Sequence, residues 1–373
     1  MNFENLLVHA ETTVDLATCF STMPRHLPEL FVATLQPLLP TWLLRILVRV
    51  WMLYVGYITR SGDVVVQQIL LDRKERAMRP VTAEVEVTND QLYANDPDFF
   101  LMHLGPKLKY SASEWPEGCT SLAEAEEFTI AKYQEKAGLA KLPKGARVLE
   151  LGCGWGSLSL TNAARYPHLN FVSFNNSPPQ TEFIRAKAKE QGLTNLTVLV
   201  EDYSIFVDPS KSQVAPAGTP PFDAALAIET VEHAQNIGEL LRAVAARLKP
   251  GATFFVHSLL HQSCSYLLSP DTWMGRNFYT GGSIMALNSY FHLAPKSLYL
   301  ADVQPVSGTG YKKTSLAWLA KQEENKPLFV AKYGTEFYEG FRMFYIAVAE
   351  AFGANDGNEF MCGYFTFEKL LID

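Results

Sequence analysis

A glycine-rich turn at residues 150–156 constrains the fold of this 373-residue chain more than any other segment. The turn has the sequence ELGCGWG and directly follows the apolar run RVL. Gly152 and Gly154 let the backbone turn sharply and approach a ligand without an intervening Cβ atom. A strand that opens through such a turn into a helix predicts a nucleotide-like ligand at the carboxyl edge of a parallel sheet.

An acidic residue precedes the glycines of this turn, whereas a dinucleotide-binding turn has the spacing GxGxxG. Glu150 can pair with an ammonium group but cannot help to bind a pyrophosphate. Because S-adenosylmethionine carries an ammonium at its methionine end, the turn predicts this methyl donor. Asn175 and Gln180 flank the end of the second predicted strand and are candidates for its ribose hydroxyls. Asp202 and Tyr203 follow the third strand and are candidates for its adenine.

Short β-rich runs alternate with amphipathic helices from residue 146 onward, which indicates βαβ units and a parallel sheet. We predict helices after Gly156, up to Gly192, and up to a stop signal at Pro250 and Gly251. The terminal YFTFEKL alternates like an antiparallel strand. The predicted fold is therefore doubly wound α/β, with a mostly parallel sheet. The predicted parallel strands are ARVLEL, NFVSFN, LTVLVED, PFDAALAIE and ATFFVHSLL.

The length of the chain favours one large catalytic domain with a helical appendage. We expect a helical amino-terminal region or lid over residues 1–120, in which TAEVEVTND forms a short strand. The catalytic domain is expected over residues 121–373. An aromatic-rich segment at about residues 261–300 interrupts its alternation, and we expect a helical cap over the substrate there.

Composition excludes several classes of function. A net charge of −7 argues against a nucleic-acid substrate, because binding phosphates requires a basic face. The five cysteines lack CxxC spacing, which argues against a metal site or a disulfide framework. The start MNFENLLVHAETT has no basic region followed by an apolar stretch, so we expect no signal peptide and a cytoplasmic protein.

Residues 38–58, LLPTWLLRILVRVWMLYVGYI, are apolar enough to raise the question of a membrane. Arg45 and Arg49 lie one helical turn apart inside this segment, and an arginine at the bilayer centre costs about 2.5–3.5 kcal/mol. We therefore expect an amphipathic helix that packs on the catalytic domain. Peripheral membrane contact through this helix and a homodimer stay open as alternatives.

Several segments resemble the superfamily of cyclopropane-fatty-acid synthases and coclaurine-type N-methyltransferases. The carboxyl-terminal half is more similar to the plant coclaurine N-methyltransferase branch. The resemblance covers about residue 92 to the end. The segments are KYSASEW (109–115), LELGCGWG (149–156), NNSPPQTEFI (175–184), AIETVEHAQN (227–236), FFVHSLLH (254–261), VSGTGYKKTSLAWLAKQEEN (306–325) and FRMFYIAVAEAFGANDGNEFMCGYFTFEK (341–369).

This resemblance implies the class I S-adenosylmethionine-dependent methyltransferase fold, with a helical amino-terminal lid. It implies S-adenosylmethionine as donor and S-adenosylhomocysteine as product. By motif match, Tyr110 and Ser111 contact the cofactor from the lid side. Gly152 and Gly154 lie under its methionine part.

One position departs from the cyclopropane synthases, which carry a bicarbonate-holding cysteine after the Tyr-Ser pair. Ala112 occupies this position here. The other bicarbonate contacts that the resemblance implies, Glu232 and His257, are present. The plant N-methyltransferases usually carry a cysteine there too, so the alanine separates the chain from both groups. It weakens the cyclopropane interpretation more, because that chemistry depends on bicarbonate as its base.

The segment ETVEH, residues 229–233, follows the fourth predicted strand and faces the transferable methyl group. In the plant N-methyltransferases, the matching residues Glu229 and His233 contact the substrate amine and accept its proton. A protonated amine has no lone pair, so a histidine that titrates near neutral pH suits the proton step. Glu232 and His257 are further candidates for the catalytic site.

These observations predict an enzyme that methylates a small, aromatic or cyclic amine. The alternative is a lipid-modifying enzyme of the cyclopropane-fatty-acyl-phospholipid synthase type. Aromatic side chains of the 261–300 segment and of the later helices are candidates for the pocket walls, where they gain cation–π energy from a cationic amine. They are Trp273, Phe278, Tyr279, Tyr290, Phe291, Tyr311, Phe341 and Phe344.

Overall fold

A computed structural model describes residues 38–59, 76–82, 97–268, 272–279 and 281–371 of the chain. The chain divides into two compact units, residues 1–40 and residues 41–373. Every element described below belongs to the second unit. The predicted strand TAEVEVTND lies outside the described residues except for Thr82. The predicted boundary between a lid and a catalytic domain at residue 120 stays a prediction.

Nine strands of the described part of the chain form one sheet at the centre of this unit. Five parallel strands pair in the order β3-β2-β1-β4-β5, and antiparallel β9 adds to the outer side of β5 and pairs in turn with β8. The sheet is therefore doubly wound and mostly parallel, as the sequence predicts. The strands are β1 (Arg147–Leu151), β2 (Asn170–Asn175), β3 (Leu196–Val200), β4 (Phe222–Ile228), β5 (Leu248–His261), β6 (Tyr266–Leu267), β7 (Ser283–Ala286), β8 (Leu298–Val306) and β9 (Phe360–Lys369).

Three of the described helices precede the sheet in the chain, and the others lie between its strands. Together they cover both faces of the sheet. They are α1 (Thr41–Thr59), α2 (Pro97–Leu101), α3 (Leu122–Lys136), α4 (Ser157–Arg165), α5 (Pro178–Glu190), α6 (Tyr203–Phe206), α7 (Ile237–Ala246), α8 (Trp273–Asn277), α9 (Ser289–Leu293), α10 (Thr309–Glu324), α11 (Lys326–Tyr333) and α12 (Thr335–Gly353). A short 3₁₀ turn, Val231–His233, follows β4.

Alternation along the central strands builds the two halves of the core. Leu149 and Ala225 belong to the apolar cluster on one face of the sheet, whereas Val148 and Ala224 belong to the cluster on the other face. Because successive side chains of a strand point to opposite faces, a strand with helices on both sides is apolar throughout. This is why β1 and β4 are mostly apolar in the sequence.

Two details of the sequence interpretation are wrong. Pro250 and Gly251 do not stop a helix, because α7 already ends at Ala246 and both residues lie within β5. The pairing of β5 with β4 has an irregularity next to this region, which accommodates a proline in a strand. The segment at residues 261–300 is also less helical than predicted, since it contains the short strands β6 and β7 besides α8 and α9.

Helix α1 packs against α12 in the way the amphipathic interpretation predicts. Arg45 Nε lies 2.5 Å and Arg49 NH2 2.9 Å from the two carboxylate oxygens of Glu350, whose side chain is 1% exposed. Leu44 and Val48 are buried on the same helix. None of the described helices combines the length and apolarity that crossing a bilayer requires.

Removing the two arginines should destabilise the protein more than removing the charge of Glu350. The double substitution Arg45→Met/Arg49→Met leaves a buried carboxylate without these partners. We expect it to lower the free energy of unfolding by about 2–3 kcal/mol, below the 3–5 kcal/mol of a fully buried pair because the arginines are partly exposed. Glu350→Gln leaves cations that water can reach and should cost about 1 kcal/mol. Urea unfolding of both variants checks this order, and equal losses would contradict it.

Candidate active site

A cavity of about 130 Å³ opens at the carboxyl edge of the parallel strands, where the turns after β1, β2, β3 and β4 meet. Its position matches the rule that ligands of doubly wound sheets bind outside the carboxyl ends of the strands. Every residue predicted for cofactor binding lines this cavity. These residues are Tyr110, Ser111, Glu150, Gly152, Gly154, Asn175, Gln180, Asp202 and Tyr203.

The glycine turn forms the floor of the cavity. Gly152 has a φ of 65° and Gly154 a φ of 51°, in the left-handed region that favours glycine. A Cβ atom at Gly152 would collide with the side chain of Thr230, whereas one at Gly154 would meet no atom within 4 Å. Gly152 therefore permits close packing between the turns, and Gly154 presents bare backbone to open space.

Glu150 is held in place by two hydroxyl groups. Ser159 Oγ and Ser173 Oγ both donate to its Oε2, at 2.5 and 2.9 Å. Burial raises the pKa of Glu150 to about 7. A ligand ammonium beside this carboxyl group would favour its charged form, so the site is suited to binding a cation.

The side-chain amides of Asn175 and Gln180 differ in the hydrogen bonds that they make within the protein. Asn175 Nδ2 donates to Cys153 Sγ at 3.1 Å, and its Oδ1 accepts from the Ser177 N–H at 2.8 Å. This side chain therefore fixes the glycine turn. Gln180 is 2% exposed, and its Nε2 has no hydrogen-bond partner among the described residues. Gln180 thus offers a donor that a ligand hydroxyl can satisfy.

Asp202 and Tyr203 close the far end of the cavity. Asp202 Oδ1 caps α6 by accepting from the Ser204 N–H at 2.8 Å, and it also accepts from Thr82 Oγ1 at 2.6 Å. The Tyr203 hydroxyl bonds to Thr230 Oγ1. Together with the unpartnered Gln180 and the carboxyl of Glu150, these groups fit a ligand that has an ammonium, hydroxyls and a flat ring.

Glu229 begins the turn after β4 with a strained backbone. Its φ is 47°, which is uncommon for a residue other than glycine and typical of functional sites. Its side chain is 6% exposed, and Oε1 accepts from the Ala112 N–H at 2.8 Å. Burial raises the pKa of Glu229 to about 8, against the opposing effect of the Lys109 ammonium.

His233 does not titrate where the sequence interpretation requires. Its ring is half-buried and lies 4.8 Å from the ring of Tyr279, centroid to centroid. Desolvation lowers the pKa of His233 to about 4, so the imidazole is neutral over the whole physiological range. Of the two residues that the resemblance assigns to the substrate amine, Glu229 is the one whose pKa lies near neutral pH.

His257 is paired with Glu229 rather than with Glu232. His257 Nε2 lies 3.6 Å from Glu229 Oε1, and its Nδ1 lies 2.6 Å from the Tyr133 hydroxyl. Glu232 is fully buried and accepts from the Leu259 N–H, and burial raises its pKa to about 7. Neither Glu232 nor His257 lines the cavity. A role of Glu232 and His257 in the catalytic site therefore stays a prediction.

The eight predicted pocket aromatics separate into two groups, and none of the eight is among the described residues that line the cavity. Four of them form one cluster, in which Phe278 lies 4.8–5.2 Å from its neighbours, centroid to centroid. Tyr279 follows Phe278 and contacts His233. We call this cluster the aromatic wall; its members are Trp273, Phe278, Phe341 and Phe344.

The other three aromatics lie elsewhere. Tyr290 is fully buried in the core, where its hydroxyl donates to Ser258 Oγ at 3.0 Å. Tyr311 packs on Phe352, and Phe291 is 61% exposed. An aromatic residue type alone did not indicate a pocket position here, because aromatic side chains also occur in the core and on the surface.

Sequence reasoning missed several residues that line the cavity. Lys109 is buried, and its Nζ donates to Ser111 Oγ at 2.7 Å and to the Ala112 carbonyl. The signal for Lys109 was present, since it begins the quoted segment KYSASEW. Tyr133 on α3 gave no signal, because nothing in the sequence places that helix beside β5. Further lining residues that were missed are Trp155, Ser157 and Thr230.

A family model described as mycolic acid cyclopropane synthetase matches residues 82–360. The chain belongs to this family. It is 28% identical to the (S)-coclaurine N-methyltransferase of Thalictrum flavum subsp. glaucum, over 82% of this chain and 84% of that protein. It is 25% identical to the cyclopropane-fatty-acyl-phospholipid synthase of Escherichia coli K12, over 69% of this chain and 62% of that protein.

Solved structures share the fold at lower identity. A coclaurine N-methyltransferase bound to N-methylheliamine and S-adenosylhomocysteine superposes with a TM-score of 0.81 at 24% identity, covering 91% of this chain and 99% of that one. A cyclopropane synthase from Mycobacterium tuberculosis gives 0.65 at 20% identity, covering 78% and 100%. The chain has the class I fold, and it is an S-adenosylmethionine-dependent methyltransferase.

Proposed function

We propose that this enzyme transfers the methyl group of S-adenosylmethionine to the nitrogen of a small aromatic or cyclic amine. The observation that carries the proposal is the buried Glu229 carboxyl in the wall of the cavity that the glycine turn also lines. Relatives named as N-methyltransferases of coclaurine and pavine support it. Burying a carboxylate costs free energy unless a cation lies near it. Lys109 is close enough to interact with Glu229. A cationic amine in the cavity would provide a second partner.

The residues of the cofactor side have distinct proposed tasks. Glu150 binds the ammonium of the methyl donor, Gln180 a ribose hydroxyl, and Asp202 the adenine edge. When bound, S-adenosylmethionine supplies an electrophilic methyl group on a sulfonium. Because Gly154 presents bare backbone to the cavity, the donor can lie directly against the turn.

Glu229 is the proposed proton acceptor. The attacking nitrogen forms the new N–C bond while the C–S bond breaks, and the nitrogen must lose one proton to regain a neutral form. An acceptor with a pKa of about 8 takes this proton more readily than one with a pKa of about 4. His233 is therefore assigned a different task, as a neutral hydrogen-bonding group that positions the amine.

The aromatic wall and Tyr279 are proposed to hold the ring of the substrate. A cationic amine over such rings gains about 0.5–2 kcal/mol for each good contact. None of the described residues of α1 lines the cavity, so nothing here directs a long acyl chain toward that helix.

Incubation with methyl-labelled S-adenosylmethionine tests the proposal directly. The protein is offered a panel of cyclic and aromatic amines and, separately, vesicles of unsaturated phospholipids. We expect label in one or more of the amines and none in the lipid acyl chains. Label that enters only the lipid would refute the amine assignment while leaving the fold and the cofactor unchanged.

A further inference from the structure

Three groups able to bind a metal ion meet beside the active-site cavity, at the junction of β4, β5 and β9. A carboxylate oxygen of Glu229, Nε2 of His257 and Sγ of Cys362 all lie within 4.8 Å of one another. The side chains of Glu229 and His257 are 6% and 2% exposed, and Cys362 is 2% exposed. No local pattern in the sequence indicates this cluster, because its members are far apart in the chain.

The imidazole of His257 is oriented as a metal ligand would be. Its Nδ1 is hydrogen-bonded to the Tyr133 hydroxyl at 2.6 Å, which fixes the plane of the ring. Its Nε2 is buried and has no hydrogen-bond partner among the described residues, although Glu229 Oε1 lies only 3.6 Å away. Histidines that bind metals almost always have the other ring nitrogen hydrogen-bonded in this way. When Nδ1 donates to Tyr133, Nε2 presents its lone pair to the gap.

We propose that Glu229, His257 and Cys362 form a binding site for a thiophilic divalent cation of the Zn²⁺ class. A thiolate, an imidazole and a carboxylate are the ligands that zinc prefers, and three protein ligands leave a fourth tetrahedral position open. On binding, the S–H bond of Cys362 breaks, its proton leaves to solvent and the sulfur bonds to the metal. The cation enters from the cavity, which both Tyr133 and Glu229 line.

The Lys109 ammonium is the positive charge that opposes this cation. Its Nζ is directed to Ser111 Oγ and to the Ala112 carbonyl, so it does not take the place of the metal between the three ligands. Lys109→Met removes the repulsion and should tighten metal binding. Its effect on metal affinity is therefore opposite to that of removing one of the three coordinating side chains.

Metal binding would inhibit methyl transfer, because it engages Glu229. This consequence rests on the proposed function, in which Glu229 receives the proton of the amine. Binding of the metal itself does not depend on that function. The test therefore measures metal binding in the absence of any methyl acceptor.

Optical titration with Co²⁺, followed by displacement with Zn²⁺, tests the site in the full chain without a histidine tag. We expect one Co²⁺ per chain and an intense thiolate-to-cobalt absorption band that Zn²⁺ removes. Cys362→Ser should abolish the band and weaken Zn²⁺ binding, measured by calorimetry, at least about tenfold. Tyr133→Phe should keep the band but weaken binding about 10–100-fold, as expected for a residue that orients a ligand.

Cys264→Ser is the matched control, because Cys264 is also 2% exposed and also lies next to a histidine, His261. This variant should keep the band and the affinity of the native chain. Circular dichroism and melting temperature establish that each variant is folded. Absence of the band in the folded native chain, or a band that survives Cys362→Ser, would overturn the proposal.

Discussion

Glu229→Gln is expected to lower kcat/KM for amine methylation by about 10²–10⁴-fold, the range that proton transfer by a positioned side chain contributes. The glutamine keeps the shape of the side chain and its bond to the Ala112 N–H, but it cannot take a proton. Affinity for S-adenosylmethionine, measured by calorimetry, should stay within about twofold of the native value. Turnover measured with methyl-labelled donor gives the loss in rate.

The pH profile separates this role from a structural one. Burial raises the pKa of Glu229 to about 8, and only its carboxylate form accepts a proton. Activity of the native enzyme should therefore rise as the pH increases through about 8 and level off above it. Glu229→Gln should lack this limb, whereas His233→Ala should lower turnover and keep it. A limb centred near the pKa of about 4 of His233, and lost in His233→Ala, would reverse the two assignments.

Gly152→Ala is expected to destabilise the enzyme and to weaken S-adenosylmethionine binding at least about tenfold. A non-glycine residue in the left-handed region costs about 1–2 kcal/mol. The added methyl group also collides with Thr230, whose hydroxyl bonds to Tyr203 in the cavity wall. Thr230 must shift, and it is the direct neighbour of Glu229. Melting temperature and calorimetry measure the two effects separately.

Gly192→Ala provides the control for backbone strain. Gly192 has a φ of 67°, close to the 65° of Gly152, but a Cβ atom there would meet nothing within 4 Å. It follows α5, away from the cavity, so its substitution should cost about 1–2 kcal/mol of stability and leave cofactor affinity unchanged. Equal cofactor affinity in the two variants would show that the contact between Gly152 and Thr230 does not shape the site.

Much of the fold could be predicted because its signals are local. The runs RVLEL and FDAALAI are mostly apolar, which predicts strands buried on both faces, and both are central strands of the sheet. The glycine turn after the first of them indicated the ligand edge. The prediction failed where one residue type is compatible with two structures. Pro250 was interpreted as a helix stop, but it lies in a strand.

Placement of the cofactor residues followed from the same regularity. In a doubly wound sheet the turns after parallel strands meet at one edge, so Glu150, Asn175 and Asp202 share a cavity although many residues separate them. The aromatic side chains had no comparable rule. Phe278 and Phe344 stack in the aromatic wall, whereas Phe291 is exposed, and only the packing of the later helices distinguishes them.

The glycine turn, the acid before it and the alternation of strands and helices were sufficient to establish the fold class and the methyl donor, because each is encoded within a few neighbouring residues. The protonation of the site was decided by the tertiary structure alone. Burial raises the pKa of Glu229 and lowers that of His233, which is why we propose Glu229 as the proton acceptor. Packing of β9 against β5 likewise brings Cys362 beside Glu229 and His257. Desolvation and long-range contacts depend on every element around a group, and no local pattern contains them.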